Sequence, residues 1–349
     1  MKKIIKIGSK KIGKNQPIFI IAEAGVNHNG KLSLAKKLVD IAVKAKADAV
    51  KFQTFKAENV VVKYAPMAEY QEKNIEKKES QLNMLKKLEL SYNDFKKLKK
   101  YCDKKGIIFL STPHSEDAID FLEDLVPAYK IGSGDLTNLS FLEKVAKKRK
   151  PIILGTGMAT LKEVKEALNV IYKQGNRKVI ALHCTTNYPC PLEEVNLRAM
   201  LTMKKKLNCL VGYSDHTFGI TVPIMAATLG ACVIEKHFTL NKNLPGPDHK
   251  ASLNPEELKE MVKKIREVEI ILGKKEKKPT TSERKIMKLV RKSIVAKRDI
   301  QKGMKITKNM LTIKRPGTGI EPKFFKKVVG KIARRYIKKE EFISFKNLK

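Results

Sequence analysis

The chain has 349 residues, 42% of them hydrophobic, and 73 Lys and Arg against 36 Asp and Glu give a formal charge of +37. That length accommodates one barrel of roughly 250 residues with a smaller domain beside it, while the absence of a long apolar stretch or a leader cleavage site argues against a membrane span or export and predicts a cytoplasmic protein. The cysteines, Cys102, Cys184, Cys190, Cys209 and Cys232, are odd in number and lack paired metal spacing, so they read as reduced thiols and not as a disulfide frame.

The chain opens with MKKIIKIGSKKIGKNQ, which reads as an ordinary first strand. Eight apolar runs of strand length follow, each ending in a polar cluster: IFIIAEAG from Ile18, AVKFQTF from Ala49, IIFLSTP from Ile107, AYKIGSG from Ala128, PIILGTG from Pro151, VIALHCT from Val179, LVGYSDH from Leu210 and CVIEKHF from Cys232. Helical stretches lie between them, so the runs predict parallel strands covered on both faces, closed into a (β/α)8 TIM barrel. Ser91 with Asp94, Thr160 with Glu163, and Asn254 before Pro255 mark helix starts. The stretch from Lys56 to Glu89 exceeds a simple crossover, and its Tyr70 and Gln71 read more readily as solvent-exposed loop residues than as pocket contacts. After Gly273 the charged segment GKKEKKPTTSERK predicts a linker over residues 274–291, which separates a barrel over 1–273 from a small, mainly β domain over 292–349 with strand-like pieces at SIVAKR and FISFK.

The charge invites a nucleic-acid reading, but lysine is spread over the helices and interleaved with acids, as in KKLVDIAVKAK, DFKKLKKYCDKK and KEMVKKIREVE. Solvated helix faces account for that pattern better than a binding stripe, and no nucleic-acid partner is expected. Catalytic groups of such a barrel belong at the carboxyl ends of the strands. There His216 and His237 end neighbouring strands seven and eight, where two imidazoles can share one divalent cation and leave positions open for water and substrate. Glu235 beside them is open to three roles: ligand, orienter of a ligand, or partner of Lys236. Lys51 and Gln53 end strand two and Lys130 ends strand four; a buried lysine needs an anion or a carboxylate such as Glu23 at the end of strand one. With Thr112, Ser133, Thr156 and Ser214 on nearby tips, the lysines look like a cradle for a carboxylate and a phosphate.

IAEAGVNHNG, KFQTF, STPHSEDAI, YKIGSGDL, ILGTGMAT, HCTTNYP, GYSDHTFG, IEKHFTL and PGPDHKASLNPEEL, in this order, resemble the sialic acid synthases, including the N-acetylneuraminate, legionaminic and pseudaminic members. RKSIVAKRDIQKGMKITKNMLTIKRPGTGI is similar to their antifreeze-like (SAF) domain. The resemblance implies a metal-dependent condensation of phosphoenolpyruvate with an N-acylated amino-hexose, N-acetylmannosamine or a diacetamido-hexose, to a nine-carbon 2-keto acid with release of phosphate. By the same resemblance a divalent metal, manganese with magnesium or cobalt as alternatives, sits on His216 and His237. Lys51, Lys130, Thr112 and Ser214 match positions that contact phosphoenolpyruvate; Glu23, Gln53, Tyr188 and Asp248 match positions lining the pocket or holding the sugar. Asp135 stands where members that make N-acetylneuraminate often carry a Glu for proton handling, and Asn187 is displaced by one position from its expected place; both departures favour a legionaminic-type or other modified-sugar subgroup. Arg315 matches an arginine that reaches from the SAF domain of one subunit into the barrel of the other, which implies a domain-swapped homodimer. Two other readings stand beside this one: a phosphoenolpyruvate-dependent barrel synthase that uses a sugar phosphate, and a basic nucleic-acid-binding protein without catalysis.

Overall fold

The computed structural model describes residues 4–75 and 79–349 and divides into two compact units, Met1–Gly273 and Lys274–Lys349. The first is built on eight parallel strands: β1 (Phe19–Gly25), β2 (Ala49–Thr54), β3 (Ile108–Pro113), β4 (Tyr129–Ile131), β5 (Ile152–Gly155), β6 (Val179–His183), β7 (Leu210–Asp215) and β8 (Val233–His237). Their order in the sheet is β3-β2-β1-β8-β7-β6-β5-β4, and β3 lies beside β4, which closes the barrel. All eight apolar runs therefore supply a strand.

Side-chain alternation divides this barrel into two cores. On β2, Val50 and Phe52 face outward and join the large apolar layer shared with helices such as Leu32–Lys44 and Tyr92–Lys105. Ala49 faces inward and packs with Phe19, Ile21, Leu110, Ile153, Ile180, Leu182 and Val233 as the barrel interior. The same parity continues upward: Lys51 follows Ala49 inward, Glu23 follows Ile21, and Glu235 follows Val233. The interior is apolar at its amino end and becomes charged toward the carboxyl end. Helix starts at Ser91, Thr160 and Asn254 are capped as their sequence suggests, the last two by full capping boxes.

Several sequence expectations change. The opening segment is an antiparallel hairpin, Ile4–Ile7 with Lys10–Gly13, and not a rung of the barrel. Its Ile5, Ile7 and Ile12 join the interior cluster, so the hairpin plugs the amino end of the barrel. The long segment after β2 contains two helices, Glu69–Ile75 and Gln81–Leu88. The stretch expected as a linker contains the helix Thr281–Val290, started by a capping box between Thr280 and Glu283.

In the second unit Ser293–Ala296 pairs antiparallel with Leu311–Lys314. Its core gathers Ile294, Ile300, Ile306, Met310, Val328, Ile337 and Ile343. The FISFK segment forms no strand; Phe342 makes an isolated bridge with Val295.

Candidate active site

A cavity of about 400 Å³ opens among the carboxyl ends of the strands. Glu23, Lys51, Gln53, Thr112, Lys130, Ser133, Tyr188, Ser214, His216, Glu235, His237 and Asp248 all line it. The lysines lie within reach of two carboxylates. Lys51 Nζ is 2.7 Å from Glu23 Oε2 and donates to Thr112 Oγ1 at 3.1 Å. Lys130 Nζ is 3.3 Å from Glu235 Oε1, which also accepts from Ser214 Oγ at 3.0 Å.

These buried charges divide their protons unequally. Burial pushes the Glu23 carboxyl up to about 7, against the pull of Lys51 and with the repulsion of Glu235. Burial also works against the Glu235 charge, but Lys130 and Lys51 outweigh it and hold that carboxyl below its ordinary value. Glu23 thus titrates near neutrality while Glu235 stays ionised, the separation expected of groups with different proton-transfer roles. Asp248 is likewise raised by burial, to about 6, with Lys51 opposing.

His216 and His237 face each other with ring centroids 5.8 Å apart at 63°. The Nδ1 of His216 is 2.6 Å from the Thr185 carbonyl, a distance that fixes the proton there and leaves Nε2 as the lone-pair nitrogen. The buried Nδ1 of His237 has no hydrogen-bond partner, and Asp248 Oδ2 stands 3.9 Å from it, beyond hydrogen-bond reach. Burial lowers the pKa of both rings, that of His216 to about 4, so both are neutral and able to ligate. Tyr188 packs against both imidazoles, with centroids at 4.1 and 5.5 Å, and Tyr70 packs on Tyr188 at 5.3 Å with its ring tilted by 32°.

Asp248 comes from the loop after β8, which is locked to the loop after β1. His249 Nδ1 lies 2.6 Å from Thr239 Oγ1 and its Nε2 lies 3.1 Å from Asn29 Oδ1. Gly246 adopts φ +150°, and a Cβ there would lie 2.7 Å from the His249 ring.

Residues 38–277 match the NeuB family and residues 291–349 match the SAF domain. The N,N'-diacetyllegionaminic acid synthase of Campylobacter jejuni is 51% identical over 327 residues, covering 93% of this chain and 98% of that protein. The enzyme of the same name from Legionella pneumophila is 50% identical over 328 residues, covering 93% and 92%. Among solved structures, the N-acetylneuraminic acid synthetase of Leptospira borgpetersenii superposes with a TM-score of 0.73 at 36% identity, covering 82% of this chain and 95% of that one. The chain belongs to the NeuB family. It is a synthase of the sialic acid type with a carboxyl-terminal SAF domain.

Several positions of this NeuB-family chain fall elsewhere than the sequence suggested. Thr156 lies outside the cavity; its hydroxyl donates to the Leu182 carbonyl at 2.8 Å and ties β5 to β6. Asp135 also lies outside, because the chain turns into a 3-10 helix at Ser133–Asp135 that carries its carboxyl toward Asn138, 3.4 Å away. Asn187 does not line the cavity, although Thr186 and Tyr188 on either side do. Arg315, an exposed residue of the second unit, is not among these positions. Lys236 pairs with Asp215 and the Thr217 carbonyl on the outer face of the barrel, not with Glu235. Tyr70 and Gln71 are cavity residues on the helix Glu69–Ile75 and not solvent-exposed loop residues. Of the cavity residues that the sequence did not single out, among them Gln81 and Thr186, His114 is the one titratable strand-tip group, directly after the Pro113 that ends β3. Its position at a strand tip, equivalent to those of His216 and His237, was the available signal.

Proposed function

We propose that this NeuB-family synthase joins carbon 3 of phosphoenolpyruvate to the aldehyde carbon of a diacetamido-hexose, with water adding at carbon 2 and phosphate leaving from it, to give a nine-carbon 2-keto acid. The observation that carries the reading is one cavity in which two facing neutral imidazoles stand with two lysine–carboxylate pairs. The identity of half the residues with two N,N'-diacetyllegionaminic acid synthases supports the diacetylated acceptor.

The residues present fit a divalent cation, manganese by family resemblance. The unpartnered buried nitrogen of His237 and the remaining nitrogen of His216 would hold it. Among the described residues no group of three or more metal-type side chains converges, so water and substrate would complete the coordination. When bound, the cation supplies Lewis acidity toward the acceptor's aldehyde oxygen.

Lys51 with Thr112, and Lys130 with Ser214, bind and orient the carboxylate and phosphate of phosphoenolpyruvate. Glu23, whose Oε1 has no hydrogen-bond partner, is placed to exchange a proton with the water that adds at carbon 2. Asp248, Gln53, Tyr188 and Tyr70 hold the acceptor's hydroxyl and amide groups. The family resemblance further supports a homodimer in which Arg315 of one copy serves the barrel of another. The free state of all five cysteines is consistent with work in the reducing cytoplasm.

Phosphate release measured with N-acetylmannosamine, its phosphate ester and a 2,4-diacetamido-hexose tests the assignment. The diacetamido sugar is expected to give the highest kcat/KM, and a strict requirement for the phosphorylated sugar would overturn the reading.

A further inference from the structure

The cavity's ammonium groups are already engaged before any substrate arrives: Lys51 with Glu23 at 2.7 Å and Lys130 with Glu235 at 3.3 Å. A trianionic substrate entering here therefore needs donors that the protein's own carboxylates do not occupy. His114 offers one. It lines the same cavity, and its Nε2 is buried without a hydrogen-bond partner.

The local fold fixes where that ring stands. His114 follows Pro113 at the end of β3, and its backbone N–H is anchored on the Thr54 carbonyl of β2 at 3.2 Å. Phe55 contacts the ring edge-on, with centroids 6.1 Å apart. A Cβ built on Gly132 would lie 3.9 Å from both His114 Cε1 and Thr112 Cγ2, so the imidazole sits over the Gly132-Ser133-Gly134 turn beside the threonine that receives Lys51. Burial first, and then Lys51 and Lys130, lower the ring's pKa to about 4, which leaves it a neutral imidazole with a single N–H. With neither cation hydrogen-bonded to it, the unpartnered Nε2 is suited to carry that N–H toward an anionic oxygen.

The geometry points to His114 as a further substrate-binding residue, whose Nε2–H donates to an anionic oxygen of phosphoenolpyruvate. This rests on the phosphoenolpyruvate reading above and adds to it a donor that the lysine cradle does not supply. The ring binds the anion without exchanging a proton, so no net chemistry is assigned to it.

Phosphoenolpyruvate alone, without sugar, is the probe. Its dissociation constant for the full-length protein is measured by calorimetry for wild type, His114→Phe, which keeps the ring but removes the donor, and His114→Gln, which restores an N–H near the Nε2 position. The expected result is a roughly tenfold weaker affinity for the Phe variant, recovered in part by Gln. In parallel, nitrogen-15 spectra of histidine-labelled wild-type protein follow the His114 Nε2 signal, assigned by its loss in the Gln variant, and that signal is expected to move when phosphoenolpyruvate is added. This readout stands even where the Phe variant does not fold. Unchanged affinity in a folded Phe variant, or an unmoved Nε2 signal on saturation, overturns the role of His114 and leaves the enzyme assignment intact. Failure of wild type to bind phosphoenolpyruvate at all contradicts the functional reading itself.

Discussion

Lys51 and Lys236 are both buried lysines near strand ends, yet they face opposite ways. Residue parity decides it: on β8, Val233, Glu235 and His237 point into the barrel, and Lys236 points out to Asp215. Lys51→Met is therefore expected to raise KM for phosphoenolpyruvate at least tenfold, read from initial rates of phosphate release. Lys236→Met leaves Asp215 buried without its partner and is expected to cost about 3–5 kcal/mol in urea unfolding, with a much smaller loss of activity per folded molecule. His216→Ala and His237→Ala are each expected to lower phosphate release at least a hundredfold and to remove its stimulation by manganese. Most of these roles were legible because polar residues at the tips of parallel strands have few structural uses. His114 and the direction of Lys236 were equally present in the sequence, but finding them required applying the period of two from the apolar residues upward.

At the scale of elements, the amino-terminal hairpin and the loop after β8 govern the barrel from its two ends. Ile12 is fully buried in the interior cluster at the plugged end, so Ile12→Ala is expected to cost about 2–5 kcal/mol by urea denaturation without changing KM for either substrate. In the loop, Gly246→Ala forces a Cβ against the His249 ring and moves the segment that carries Asp248. The expected outcome is a raised KM for the acceptor sugar, with KM for phosphoenolpyruvate little changed. The eight strands could be read because each is a continuous apolar run. The hairpin was misread because its two four-residue strands flank a Gly8-Ser9 turn that the uniform lysine pattern disguises. The helix Thr281–Val290 was hidden by its charged composition, although Thr280 and Glu283 have the spacing of a capping box.

The whole molecule carries a charge of +37, and the substrate proposed for its cavity is an anion. Such a field raises the rate of encounter and is screened by salt. Raising ionic strength is accordingly expected to lower kcat/KM for phosphoenolpyruvate while kcat holds, as measured in stopped assays across a sodium chloride series. The role of the second unit was read from family resemblance alone, because Arg315 is an exposed residue whose partner no local pattern specifies. In the mechanism proposed above, the facing imidazoles of His216 and His237 hold a cation on which the condensation depends. Phosphate release from phosphoenolpyruvate and a 2,4-diacetamido-hexose, measured after exhaustive chelation and again with manganese restored, tests it most directly. Wild type should be inactive when chelated and recover with manganese, while the two alanine variants should not recover; full turnover by metal-free enzyme, or recovery in both variants, would contradict it.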